Sequence, residues 1–146
     1  MKSLDVGCGA SPKGTVNVDL FIESTVHRSY KIKPKHIKNF VQADACHLPF
    51  KKDSFDMVYC FHVVEHVQNP ILLIRELIRV SKKQVIIECP HWISWGAKKP
   101  GHINFFRTNW FHKVLANYTH DILLNWGYNK IPLLPLPQEI IVKIWK

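Results

Sequence analysis

The chain has 146 residues, 47% of them hydrophobic, and a formal net charge of +9. That length predicts a single domain, with residues 1–90 and 91–146 as its two halves, burying about two thirds of its unfolded surface. The apolar content excludes a disordered chain, and the lack of any uncharged apolar run of about 18 residues excludes a membrane-spanning helix.

Leu4-Asp5-Val6 is a short apolar strand that runs into Gly7-Cys8-Gly9. Val16 to Leu20 alternates and is rich in β-branched residues, a second strand. Residues 21–37 carry Pro34 and scattered lysines with no helical period, so they read as irregular. Asn39 to Ala43 is a third strand ending at Asp44, and Phe55 to Cys60 a fourth, apolar enough for burial on both faces. Asn69-Pro70 is the N-cap and first position of a helix whose Leu73, Ile74, Leu77 and Ile78 oppose Arg75, Glu76, Arg79, Lys82 and Lys83. Gln84 to Cys89 is a fifth strand closed by Pro90. Thr108 is placed as the cap of a second helix with Phe111, Val114, Leu115 and Tyr118 on one face. Two last strands, near Asp121–Asn125 and Glu139–Trp145, flank a proline-rich connection. Strands separated by helices or long crossovers predict an α/β fold: a Rossmann-like, mostly parallel twisted sheet of about seven strands, the last one antiparallel near an edge.

The four cysteines, Cys8, Cys46, Cys60 and Cys89, are widely spaced without a CxxC pair, which predicts reduced thiols that pack as small hydrophobes. The start of the chain enters an apolar strand directly and has no signal-peptide pattern, so a cytoplasmic location is expected. Arg28, Lys31, Lys33, Lys35 and Lys38 crowd one stretch, and Lys98, Lys99, Arg107 and Lys113 another. Two readings stay open: a solvated basic surface, or a face for a phosphate-bearing acceptor or RNA.

In open α/β sheets ligands bind beyond the carboxyl ends of the strands, at the switch point. Three strand ends carry suitable groups there. Gly7-Cys8-Gly9 lets the backbone turn tightly and approach a ligand, a weak signal alone. Asp19 follows strand two, a carboxylate able to accept from both hydroxyls of a sugar, and Asp44 follows strand three, placed to accept from an exocyclic amine. Each aspartate taken singly fits a turn or cap equally well. Their common placement on one side of the sheet argues for a nucleoside site.

These residues lie in segments that resemble a known family. Leu4-Asp5-Val6-Gly7-Cys8-Gly9 is similar to the first motif of class I S-adenosylmethionine-dependent methyltransferases. Ala43-Asp44-Ala45-Cys46-His47-Leu48-Pro49-Phe50, Asp53-Ser54-Phe55-Asp56 and Val58 to His66 resemble the signature of the type-11 group. Gly101-His102 through Phe105-Phe106 resembles its later segment. The resemblance implies methyl transfer from S-adenosylmethionine. Gly7, Cys8 and Gly9 would line the methionine and ribose part of that cofactor, and Asp5 would help hold its amino end. Asp19, with Leu20 beside it, would bind the ribose hydroxyls, while Asp44 and the backbone of Ala45 would bind adenine. Cys60, Phe61 and His62 would form the floor beside the methyl group.

Two features depart from the family pattern. Nine residues separate Gly9 from Asp19, too few for a helical crossover, so Ser11-Pro12-Lys13-Gly14 is predicted to be a loop. The same shortness, and the missing GxGxxG, argue against a nicotinamide protein. Strand one also begins at residue 3, so helices that cover the acceptor pocket in relatives are expected to be missing or supplied by a partner.

The reaction implied is an in-line displacement at a sulfonium methyl, for which the protein supplies positioning and desolvation, plus a base where the acceptor must lose a proton. His62 and His91 are the candidates for that base, with Glu65 and His66 on the same side. His62-Val63-Val64-Glu65-His66 also spells H-x-x-E-H, a zinc-peptidase motif, with Glu139 as a distant third ligand. That motif requires a long helix, and here it follows a strand and stops at Asn69-Pro70, so no metal is expected. His27, His36, His47, His112 and His120 have no partner pattern and are expected at the surface. Trp92, Trp95, Phe105, Phe106 and Trp110 are either core and surface cover or the floor of an acceptor cleft or homodimer contact. Two alternatives to a free-standing enzyme remain: a cofactor-binding subunit that serves a catalytic partner, and an RNA-associated methyltransferase.

Overall fold

The computed structural model describes residues 1–26, 31–128 and 135–146. Seven strands form one sheet: β1 (Ser3–Val6), β2 (Val16–Asp19), β3 (Phe40–Gln42), β4 (Phe55–Phe61), β5 (Ser81–Pro90), β6 (Thr119–Tyr128) and β7 (Pro135–Trp145). Among the described residues two α-helices, α1 (Pro70–Val80) and α2 (Thr108–Val114), accompany them. The strand order is β3-β2-β1-β4-β5-β7-β6, parallel through β5. The last strand in the chain, β7, is antiparallel to both its neighbours and lies one place inside the edge, with β6 outside it. Arg28 and most of the proline-rich connection lie outside the described residues.

The expected lack of a helix between β1 and β2 is observed, and the crossover is a loop. Gly7 N–H and Cys8 N–H both donate to Val18 O, at 2.8 and 2.9 Å, clipping the loop onto β2. Asp5 accepts from Lys13 N at 2.7 Å, so a buried carboxylate fixes the far side of the same loop.

Helix α1 starts as its sequence predicts, with the Asn69 side chain accepting from Leu72 N at 3.0 Å. Leu73, Ile74, Leu77, Ile78 and Val80 are buried against the sheet. Its polar side staples the segment that follows Asp44. Arg79 donates to Phe50 O at 2.7 Å, Leu48 O at 3.0 Å and Glu76, and Glu76 accepts from Leu48 N at 2.9 Å.

Helix α2 differs from expectation at both ends. Thr108 is its first helical residue, and the cap position belongs to Arg107, which makes no side-chain cap bond. The helix ends at Val114, leaving Tyr118 40% exposed, because β6 must begin at Thr119 to pair with β7. Phe111 and Leu115 are fully buried, so the apolar stripe survives in its first part.

One core holds the sheet and helices together and includes Leu4, Val18, Phe55, Val58, Leu77, Ile87, Phe111, Ile140 and Ile144. All four cysteines are buried thiols outside any disulfide. Phe106 is buried and Trp110 partly so, whereas Trp92, Trp95 and Phe105 are exposed. Among the described residues no helix is long and apolar enough to cross a membrane.

Candidate cofactor and acceptor site

β1, β2, β3 and β4 deliver Gly7, Asp19, Asp44 and His62 to the same side of the sheet, because parallel strands end on a common edge. A cavity of about 950 Å³ opens there. Gly7, Cys8, Gly9, Asp19, Leu20, Asp44, Ala45, Phe61 and His62 all line it. Asp5 and Cys60, read with them from sequence, do not. Asp5 is turned to the Lys13 amide, and burial raises its carboxyl above the ordinary aspartate value. Cys60 is fully buried beneath the floor, where burial pushes its thiol well up.

Gly7 has φ +75°, and a Cβ there would stand 2.1 Å from Val63 Cγ2. Glycine is therefore required at the close approach of two strand ends. The Asp19 carboxylate is aimed by two backbone amides: Gly9 N donates to Oδ2 and Phe21 N to Oδ1, each at 3.0 Å. A carboxylate oxygen can accept more than one hydrogen bond. Asp44 accepts from Cys46 N at 2.8 Å through Oδ1, and its Oδ2 lies 3.2 Å from His47 Nδ1. This arrangement fits a nucleoside: two oriented carboxylates, a glycine bend on the neighbouring strand end, and apolar Leu20, Phe21 and Leu72 in the wall.

At the other end of the cavity His62 follows β4 with φ +56°, a conformation that costs a non-glycine residue of order 1–3 kcal/mol. Its amide donates to Glu88 O at 2.8 Å, which holds the backbone in place. Three carboxylates surround the ring: Glu65 Oε1 at 3.5 Å from Nδ1, and Glu88 Oε1 and Glu139 Oε1 at 3.5 and 3.7 Å from Nε2. Glu65 first, then Glu139 and Glu88, raise the imidazole above its ordinary value against the opposing effect of burial. Burial and the nearby Glu139 likewise raise Glu88.

His91, the second candidate base, is outside the cavity lining. Its Nδ1 is buried without a hydrogen bond, and burial and Arg107 lower its pKa. Residues 62–66 form a bend and turn rather than a helix, with His66 N donating to Val63 O at 2.9 Å, so the zinc-peptidase arrangement is not formed. Of the histidines expected at the surface, His47 pairs with Asp44, and His112 Nδ1 lies 3.0 Å from His120 Nε2. His27 lies outside the described residues.

Several lining residues carried no sequence signal for this site: Gln68, Asn69, Ser94 and Gln138. They come from loops and from β7, which reach the cavity only when the sheet is assembled. Glu139 is the partial exception, because sequence already grouped it with His62.

Comparison with known proteins agrees with this geometry. A solved structure from Thermotoga maritima, a S-adenosylmethionine-dependent methyltransferase described as a possible histamine N-methyltransferase, superimposes with a TM-score of 0.73. It covers 99% of this chain and 82% of its own at 16% identity. The fold is thus that of the S-adenosylmethionine-dependent methyltransferases. The family model for the methyltransferase domain matches residues 4–89, and the chain belongs to that family, with S-adenosylmethionine as the cofactor of the class. An uncharacterised protein of Methanocaldococcus jannaschii is 32% identical over 84 residues, covering 56% of this chain and 36% of that protein. Norajmaline N-methyltransferase of Rauvolfia serpentina is 30% identical over 94 residues, covering 53% and 31%. The chain thus matches only about a third of the length of these curated relatives.

Proposed function

We propose that this chain transfers a methyl group from S-adenosylmethionine to an acceptor that presents a basic nitrogen. The observation that carries the cofactor part is that Asp19 and Asp44, from the ends of adjacent strands, line one cavity together with the Gly7–Gly9 bend, which follows the next strand over. Asp19 and Leu20 would hold the ribose, Asp44 and the Ala45 backbone the adenine, and Gly7, Cys8 and Gly9 the methionine portion. Asp5 acts as a positioning residue through the Lys13 amide, and Cys60 supports the floor under Phe61 and His62. When bound, the cofactor supplies an electrophilic methyl group.

The acceptor part rests on charge. In a chain of net charge +9, the end of the site beside His62 is ringed by Glu65, Glu88 and Glu139. Such a local negative field attracts an ammonium group. The nitrogen must shed its proton before its lone pair can form the new N–C bond, and His62, which lines the cavity, is the group placed to take it. His91 lies outside the lining, so we give it no proton-transfer step. Lys99 also lines the cavity and suits an acceptor that carries a phosphate or carboxylate further from the reacting nitrogen. Exposed Trp92, Trp95, Ile103 and Phe105 favour a cover supplied by a second copy or a partner subunit, which light scattering would detect. Four cysteines outside any disulfide favour the cytoplasm.

The test is calorimetry with S-adenosylhomocysteine, followed by methyl transfer to a panel of primary amines and matched alcohols. Binding by the unmodified chain, at least tenfold weaker in Asp19→Ala, and turnover confined to amines are expected. No binding removes the cofactor reading, and turnover of alcohols alone removes the acceptor reading. Tight salt-sensitive RNA binding with methylation of that RNA would make the acceptor nucleic acid.

A further inference from the structure

We propose that Glu65, His66 and His102 form a binding site for one divalent cation of the zinc type. Their ligand atoms all lie within 4.8 Å of one another. The proposal does not depend on the methyl-transfer reading.

Glu65 is the first reason. It is 1% exposed, and neither carboxylate oxygen makes a hydrogen bond. Burying a carboxylate is costly unless a cation or several donors face it. His62 Nδ1, 3.5 Å from Oε1, does not form such a bond. The backbone of Glu65 is fully engaged by contrast, its carbonyl accepting from Ile103 N at 2.9 Å and Asn104 N at 3.1 Å. The fold therefore ties this residue down while its charged end has the His62 ion pair and no hydrogen bond.

His66 is the second reason. Its Nδ1 lies 3.1 Å from Gly101 O, and a carbonyl can only accept, so Nδ1 carries the proton and in the neutral ring Nε2 is the nitrogen able to ligate a metal. A histidine whose far nitrogen donates to a backbone carbonyl is oriented as metal-ligating histidines are. His102 comes from the next residue along that strap, with its ring 4.6 Å from that of His66 and at 80° to it, an edge contact rather than a stack. Asn104 Nδ2 closes the strap by donating to Val64 O and Val67 O at 3.3 and 2.7 Å.

Two histidines and one glutamate are a zinc donor set that leaves a fourth position open. Tetrahedral bonds of about 2.0–2.2 Å put donor atoms roughly 3.3 Å apart, so small side-chain rotations would complete the site. His66 and His102 line the large cavity, so the open position would face it. This differs from the H-x-x-E-H reading, because His62 belongs to a separate group with Glu88 and Glu139.

The test titrates the purified chain with Zn²⁺ and with Co²⁺ as a spectroscopic probe, alongside Glu65→Gln, His102→Gln and His62→Gln. One equivalent of metal is expected, with visible Co²⁺ bands of tetrahedral type and a Zn²⁺-dependent rise in Tm. Glu65→Gln and His102→Gln should weaken binding at least tenfold, while His62→Gln changes it less than about threefold. A cooperative thermal melt and a far-UV circular dichroism spectrum like that of the unmodified chain would show that each variant is folded. Absence of stoichiometric binding by the unmodified chain overturns the proposal. So does equal binding by the folded Glu65 and His102 variants, or loss of binding in His62→Gln alone.

Discussion

The Glu139 carboxylate, on the last strand, stands 3.7 Å from Nε2 of His62 at the end of β4. β7 enters between β5 and β6 in a register that sets Glu139 opposite Pro90, and this turns its side chain toward the mouth of the cavity. If Glu139 gathers a cationic acceptor, Glu139→Gln should raise KM for an amine substrate by roughly 10-fold, the scale of one charged contact. The affinity for S-adenosylhomocysteine should not change. Steady-state kinetics paired with calorimetry would separate the two, and an equal loss in both would contradict the division of the cavity into two ends.

Asp44 holds its loop as well as facing the cavity, since it accepts from Cys46 N at 2.8 Å. Asp44→Asn keeps an acceptor oxygen for that amide while removing the charge. Its affinity for S-adenosylhomocysteine should fall less than that of Asp44→Ala, with Tm nearly unchanged for the asparagine variant. Calorimetry and a thermal melt on both variants check this.

Gly7→Ala tests the packing of the strand ends. The new methyl would meet Val63 Cγ2 at 2.1 Å, in a backbone conformation with φ +75°. Overpacking and left-handed strain together cost about 2–4 kcal/mol. Urea unfolding should show that loss. Val63→Ala in the same chain should recover part of it, because it removes the clashing methyl but not the strain.

Acid stability should depend on Glu76. Arg79 holds its carboxyl below the ordinary glutamate value, helped by the Leu48 amide. A depressed folded pKa means the unfolded chain binds the proton more tightly. The stabilisation is therefore present above the ordinary value of about 4.3 and is lost as pH falls through it toward the folded value. Glu76→Gln should flatten this part of the stability curve below about pH 5 and lower stability at neutral pH. A series of thermal melts between pH 3 and 7 would record it.

Much of the fold was legible locally. Alternation and β-branched residues marked the strands, and Asn69-Pro70 marked the start of α1. The short interval between Gly9 and Asp19 ruled out a first crossover helix. These features depend on neighbours in the chain, which is why they can be read from it. The end of α2 could not be read this way. Its apolar stripe continues to Tyr118, yet pairing of β6 with β7 claims the chain from Thr119.

By itself the sequence determined which residues gather at the proposed cofactor end, because each glycine bend or aspartate is contiguous with its strand and parallel strands must finish side by side. Tertiary structure decided how the other end is put together around His62. There β7 and residues 101–104 bring Glu139 and His102 from far along the chain, and burial leaves the Glu65 carboxylate without a hydrogen bond. Register and desolvation are properties of the assembled sheet, and no residue carries them alone.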